Sequence, residues 1–224
     1  MLVNYLLITL GLGELAFAIY LFVTNPASRV RLFYALFVFG AALWVLAVGL
    51  FTPDTSENFG RVLDKFAYFG PVVALSFLLA FSWYFPFQTR NLGKVEKLIV
   101  FVPIVFFGSF IFFTDLVIKS AFTRVINNIA TIVFGPLFPF HALFVLVYWT
   151  SAIVILLKKR RRSDGLHRWM LDLFLLGIIP SSLIAFVTNL YNPAIQEQFH
   201  FWYIGPLATV MWLLTSTYIV YRNK

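Results

Sequence analysis

Seven apolar runs, each about 20 residues long, fill most of this 224-residue chain. That length is what a bilayer demands, because a hydrocarbon core about 30 Å thick is crossed by about 20 helical residues rising 1.5 Å each. Inside lipid every backbone N–H and C=O must find a partner within the protein, which leaves only helices or closed barrels. The alternation of polar and apolar residues that marks a barrel strand is absent, so the runs read as helices. They are placed at 2–23, 32–51, 62–85, 98–113, 136–157, 169–190 and 201–221. Composition agrees: 61% of residues are hydrophobic and 12% charged, against about a quarter charged in soluble domains. The expected fold is an all-α integral membrane protein, one seven-transmembrane bundle over residues 1–224, and the expected location is a multi-pass position in the cell membrane.

The loops orient the bundle. With the N-terminus outside, the cytoplasmic segments hold Arg29 and Arg31, then Arg90, Lys94 and Lys97, then 158–162 with Arg168, then Arg222 and Lys224. Those are thirteen of the 17 basic side chains. The outer segments hold only Arg61, Lys65, Lys119 and Arg124, together with Asp54, Glu57, Asp115 and Glu197. Short cytoplasmic loops carry the excess of Lys and Arg, so the chain reads as N-out and C-in. The formal charge of +8 is therefore a topology and anionic-lipid signal, with no nucleic-acid partner expected. No basic residue precedes the first apolar run, so it is expected to remain as a reverse-oriented anchor. There are no cysteines, hence no disulfide and no thiolate chemistry.

One loop is substantial. Between Phe113 and Pro136, β-branched and aromatic runs at 121–126 and 129–134 flank Asn127-Asn128, a pair suited to a two-residue turn. An external β-hairpin lying across the helix ends, between helices 4 and 5, is expected.

Glu14 is the one ionisable residue near the middle of a span, and it must face protein or water. On a helical wheel Asn4, Gly11, Glu14 and Ala18 share a side, so small residues admit a neighbouring helix. Two readings stay open: a proton or ligand site within the bundle, or a neutral acid hydrogen-bonded to another helix. His141 and His200 lie near the outer ends of their spans at a depth similar to Asp64, Tyr68, Trp202 and Tyr203. Their separation lacks metal-ligand spacing, so no metal and no cofactor is expected. Candidate ligand-binding residues are Glu14, Asn4, Tyr68, His141, His200 and Trp202. Gly70-Pro71, Gly135-Pro136 and Gly205-Pro206 sit in the outer parts of three spans, and Pro180 interrupts the sixth. Proline frees a carbonyl four residues earlier and kinks a helix, which makes Pro71, Pro180 and Pro206 candidate hinges.

The seventh span has no lysine for a retinal Schiff base, and no nucleotide-binding glycine motif, zinc-binding His-Glu pattern or nucleophile elbow occurs. The chain is not expected to be an enzyme.

The stretches 25–51 (NPASRVRLFYALFVFGAALWVLAVGLF), 66–85 with its Gly-Pro, 134–144 (FGPLFPFHALF) and 208–224 (ATVMWLLTSTYIVYRNK) resemble the N-terminal seven-transmembrane region of bacterial sensor histidine kinases. The resemblance implies a signal-input bundle of a two-component system, detecting an extracellular or membrane-borne signal. It implies that the last helix leads toward dimerisation, PAS-type and kinase domains, whose phospho-accepting histidine and ATP-binding glycine boxes do not occur in this sequence. The implied partners are the lipid bilayer, a homodimer mate or a cytoplasmic kinase or other output protein, and an unknown small ligand. The alternative is a small secondary transporter or channel using Glu14, although no internal repeat of spans and no second buried charge supports it.

Overall fold

The computed structural model describes residues 2–52, 55–119, 124–126, 129–131, 133–191 and 202–222, with backbone alone for 124–126, 129–131 and 218–222. Its helices are α1 (Leu2–Thr24), α2 (Arg29–Leu50), α3 (Glu57–Tyr84), α4 (Lys94–Phe113), α5 (Phe138–Arg161), α6 (Gly165–Phe186) and α7 (Ile204–Arg222). Six of them are long and apolar enough to cross a membrane; α7 has a shorter apolar stretch, Ile204–Thr217, among the described residues.

Several helices begin before the apolar runs do. Ser28 caps α2, its side chain accepting from the Arg31 N–H at 3.4 Å, so the helix starts at Arg29 rather than at 32. Glu57 and Arg61 pair one turn apart at the start of α3. Hydropathy marks where lipid begins, whereas a helix continues for as long as its first turn can be capped or wetted.

The loop before α5 corrects an expectation. Its pairing amounts to three residues a side, Arg124–Ile126 against Ile129–Thr131, and a folded hairpin lying across the helix ends is not supported. Asn127-Asn128 lie outside the described residues. The body of the fold is helical throughout.

α3 is the central helix. Every residue from Val72 to Tyr84 is buried, as suits a helix apolar on all sides and surrounded by others. It packs against α2, α4 and α5, while α1 flanks α2 and α7 joins α6. The α2–α3 contact is close because two glycines face each other. A Cβ built on Gly40 would lie 2.8 Å from the Gly70 carbonyl oxygen, and one built on Gly70 would lie 2.7 Å from the Gly40 oxygen. Without side chains the two backbones approach closely, as small residues permit in membrane bundles. α1 buries Leu7, Gly11, Glu14, Ala18 and Leu21, a single stripe at three- and four-residue steps.

At the end of the bundle where α3 stops, Lys159 departs from its neighbours in the basic run. It is 4% exposed, and its Nζ donates to the carbonyls of Trp83 at 3.1 Å, Phe85 at 2.8 Å and Phe87 at 2.6 Å. A cation there serves carbonyls of the last turn of α3 and of the segment after it, the Trp83 oxygen also accepting from the Thr89 N–H at 2.8 Å, and meets the negative end of the helix dipole. Arg29 and the Leu92 N–H both donate to the Tyr84 hydroxyl, at 3.0 and 2.9 Å, and close the same corner. The turn into α6 uses Gly165 at φ +53°, a left-handed position that favours glycine.

Candidate functional site

A cavity of about 190 Å³ opens among α2, α3, α5, α6 and α7. Its inner part is walled by Phe37, Leu78, Ile178 and Trp212. Its other end reaches Phe51 after α2, Leu63 and Asp64 near the start of α3, Leu190 after α6, and Trp202 before α7. It thus lies at the end of the bundle opposite the Lys159 cluster.

Three features of the sequence shape it. Pro71 interrupts α3 beside the wall residues Ala67 and Tyr68, and its missing N–H leaves the Ala67 carbonyl without a helical partner. α6 does not end cleanly but widens into a π turn, Val187–Tyr191, which brings Asn189 to the wall. Gly205 then lets α7 start against that turn, since a Cβ there would lie 2.9 Å from Thr188 Oγ1 and 3.1 Å from Ala185 Cα.

The polar equipment is sparse and specific. His141 is 2% exposed, with Nε2 at 3.1 Å from the Tyr68 carbonyl oxygen. A carbonyl only accepts, so Nε2 donates, and the neutral ring presents Nδ1 as an acceptor. Nδ1 is buried without a hydrogen-bond partner among the described residues, as is the donor Trp149 Nε1. Ser181, also on the wall, is satisfied by its own helix, its hydroxyl near the Gly177 and Ile178 carbonyls at 2.8 and 3.1 Å. Asp64 takes part in no ion pair or hydrogen bond among the described residues. The neighbouring cations are engaged elsewhere: Lys65 Nζ donates to the Phe112 carbonyl at 2.8 Å, and Arg61 pairs with Glu57.

The expected site residues separate into three groups. Tyr68, His141 and Trp202 come together on the cavity wall. Glu14 does not reach it. Fully buried, it lies behind Thr209, whose hydroxyl donates to Glu14 Oε1 at 2.7 Å and also lies 2.7 Å from the Pro206 carbonyl. Asn4 is elsewhere, its Nδ2 donating to the Gly49 and Phe51 carbonyls at 3.0 and 2.6 Å, where it closes the end of α2. His200 lies outside the described residues, as do Phe201 and Asn192-Pro193. Among the described residues no three His, Asp or Glu side chains gather.

Of the proposed hinges, Pro71 and Pro180 lie within helices. Pro206 is corrected: it falls in the first turn of α7, where a proline's missing N–H is one the helix start leaves unpaired anyway. It begins the helix rather than kinking it, and Gly135-Pro136 likewise precede α5. Sequence reasoning undervalued Asp64, Trp149 and Asn189. A lone acid at the start of an apolar run signals the first; nothing local signals the other two.

Thr209 and Trp212 line the cavity on α7, and the same helix is keyed to α2 further along. Trp212 lies 4.7 Å from the Phe37 ring, and the Tyr34 and Ser216 hydroxyls are hydrogen-bonded to each other. The wall of the cavity and the seating of α7 are therefore made by adjacent turns of one helix.

Compared with known proteins, residues 6–224 match the sequence model of the N-terminal 7TM region of histidine kinase. No curated protein and no solved structure matches.

Proposed function

Since the chain belongs to the family of N-terminal 7TM regions of histidine kinases, we propose that it is the sensory input domain of such a signalling system. In this reading a small ligand enters the cavity from the outer side, N-out and C-in, and α7 carries the signal to a cytoplasmic output domain or partner. One observation supports it most: an occupant of the cavity touches Thr209 and Trp212 of α7 directly, so its binding energy bears on the seating of that helix. A sensor needs two states separated by a few kcal/mol and a ligand that favours one.

The transporter reading has less support, because Glu14 is off the cavity wall and shielded by Thr209. The test is to fuse a dimeric kinase module after Lys224 through helical linkers lengthened one residue at a time, each residue turning the output by about 100°. Kinase output that oscillates with linker length supports transmission through α7. A flat response removes the sensory reading.

A further inference from the structure

We propose that the cavity binds a small organic cation, an ammonium carried on a compact apolar body, through Asp64, the free Nδ1 of His141 and the aromatic walls. The ligand class deepens the sensory reading and rests on it only for what binding would accomplish.

The charge balance of the wall is the first argument. Among the described lining residues the carboxyl and imidazole groups are those of Asp64 and His141, and no lysine or arginine is present. The two cations closest to Asp64 in sequence are not lining residues: Lys65 donates to the Phe112 carbonyl, and Arg61 pairs with Glu57 while its Nε has no hydrogen-bond partner among the described residues. An anionic ligand would therefore meet a carboxylate and no cationic side chain on the described wall, and a neutral one would leave that carboxylate unpaired. A carboxylate taken out of water needs a partner, and the natural partner is a cationic donor.

Hydrogen-bonding capacity is the second. His141 Nδ1 is a buried acceptor with no partner among the described residues, so it and Asp64 both ask for an N–H. An ammonium offers three. Asp64 and Tyr68 stand one turn apart on α3, and Tyr68 holds His141 through its carbonyl, which places both acceptors around the same stretch of helix.

The walls are the third. Trp44, Phe51, Tyr68, Trp149, Trp202 and Trp212 line the cavity, and aromatic faces attract cations while burying apolar surface. A dry cavity of about 150 Å³ already accepts benzene; the 190 Å³ here suits one ring or a short alkyl chain with an amino group.

The experiment uses the full chain in lipid nanodiscs and measures binding by calorimetry and by the shift in thermal unfolding. The probes are 2-phenylethylamine and n-hexylamine, against 2-phenylethanol as the neutral probe and 3-phenylpropanoate as the anionic one. At least one amine is expected to bind tenfold or more tighter than the alcohol, with no binding of the carboxylate. Asp64→Asn is expected to abolish that preference while leaving unfolding without ligand unchanged; if that variant does not fold, the probe ranking on the unaltered chain decides alone. Equal binding of the three classes, no amine binding up to millimolar concentration, or an unaltered preference in a folded Asp64→Asn variant overturns the proposal. The kinase fusion separates the two claims. Amine binding with linker-independent output keeps the ligand class and removes the sensory reading, whereas periodic output without amine binding does the reverse.

Discussion

The Thr209 hydroxyl donates to Glu14 Oε1 at 2.7 Å, joining the last helix to the first across 195 residues of sequence. Both side chains are buried, so the bond is shielded from bulk water. Glu14→Gln keeps an acceptor oxygen and is expected to fold with little change. Glu14→Leu and Thr209→Val each remove one partner and should cost about 1 kcal/mol, in the range of interhelical hydrogen bonds in membranes. A double-mutant cycle on thermal unfolding in detergent checks this; a coupling of zero would mean that the pair does not hold α7 to α1.

Lys159 should matter more to stability than any other member of the basic run. Lys159→Met leaves the carbonyls of Trp83, Phe85 and Phe87 without their shared donor, a loss of about 2–3 kcal/mol for hydrogen bonds to a charged group. Hydrogen exchange is expected to rise in the segment after Tyr84. Lys158→Met, at an exposed position, should leave both measurements unchanged.

The surroundings of two helical glycines predict opposite signs on substitution. A side chain at Gly40 would lie 2.8 Å from Ala74 Cα, so Gly40→Val should destabilise by about 1–3 kcal/mol through overpacking. No atom lies within 4 Å of a Cβ built on Gly13, so Gly13→Ala should stabilise by about 0.5–1 kcal/mol as a helix-interior glycine is replaced. Thermal unfolding of the two variants gives the comparison.

Orientation is testable because the chain has no cysteine of its own. Single cysteines at Asn58 and Asp164 occupy exposed positions, whereas Ser163 is buried and bonded to the Lys159 carbonyl. In intact cells an impermeant thiol reagent is expected to label Asn58 and to reach Asp164 only after lysis. The reverse pattern would invert the topology.

The helices and the buried stripe of α1 were legible in the sequence because both are periodic, and periodicity is local. Gly11, Glu14 and Ala18 can be placed on one face by counting, but Thr209 as the partner of Glu14 cannot, since no spacing relates residues on different helices. Lys159 read as one more charge of a flanking run, because counting charges says nothing of which way a flexible side chain turns. Pro206 read as a kink because hydropathy does not locate the first turn of a helix; the structure starts α7 at Ile204. The π turn at Val187–Tyr191 is a change of hydrogen-bond register, and its residues carry no signal that distinguishes it from α-helix. Tyr68, His141 and Trp202 share a similar depth along their spans, and the structure places all three on one wall.

An ammonium has three hydrogens, and those of Lys159 are all directed at backbone oxygens. It has none left for a lipid phosphate. Arg160 is engaged by Asp172, which among the described residues leaves the exposed Lys158, Arg161 and Arg162 as the members of the run whose hydrogens are available to a lipid phosphate. The carbonyls that hold Lys159 are neutral and leave its charge in place, whereas Asp172 offsets that of Arg160, so at about 1 kcal/mol per basic residue at such a surface the membrane experiences four charges from a segment whose formal charge is five, and raising the salt should weaken its grip on acidic lipid accordingly.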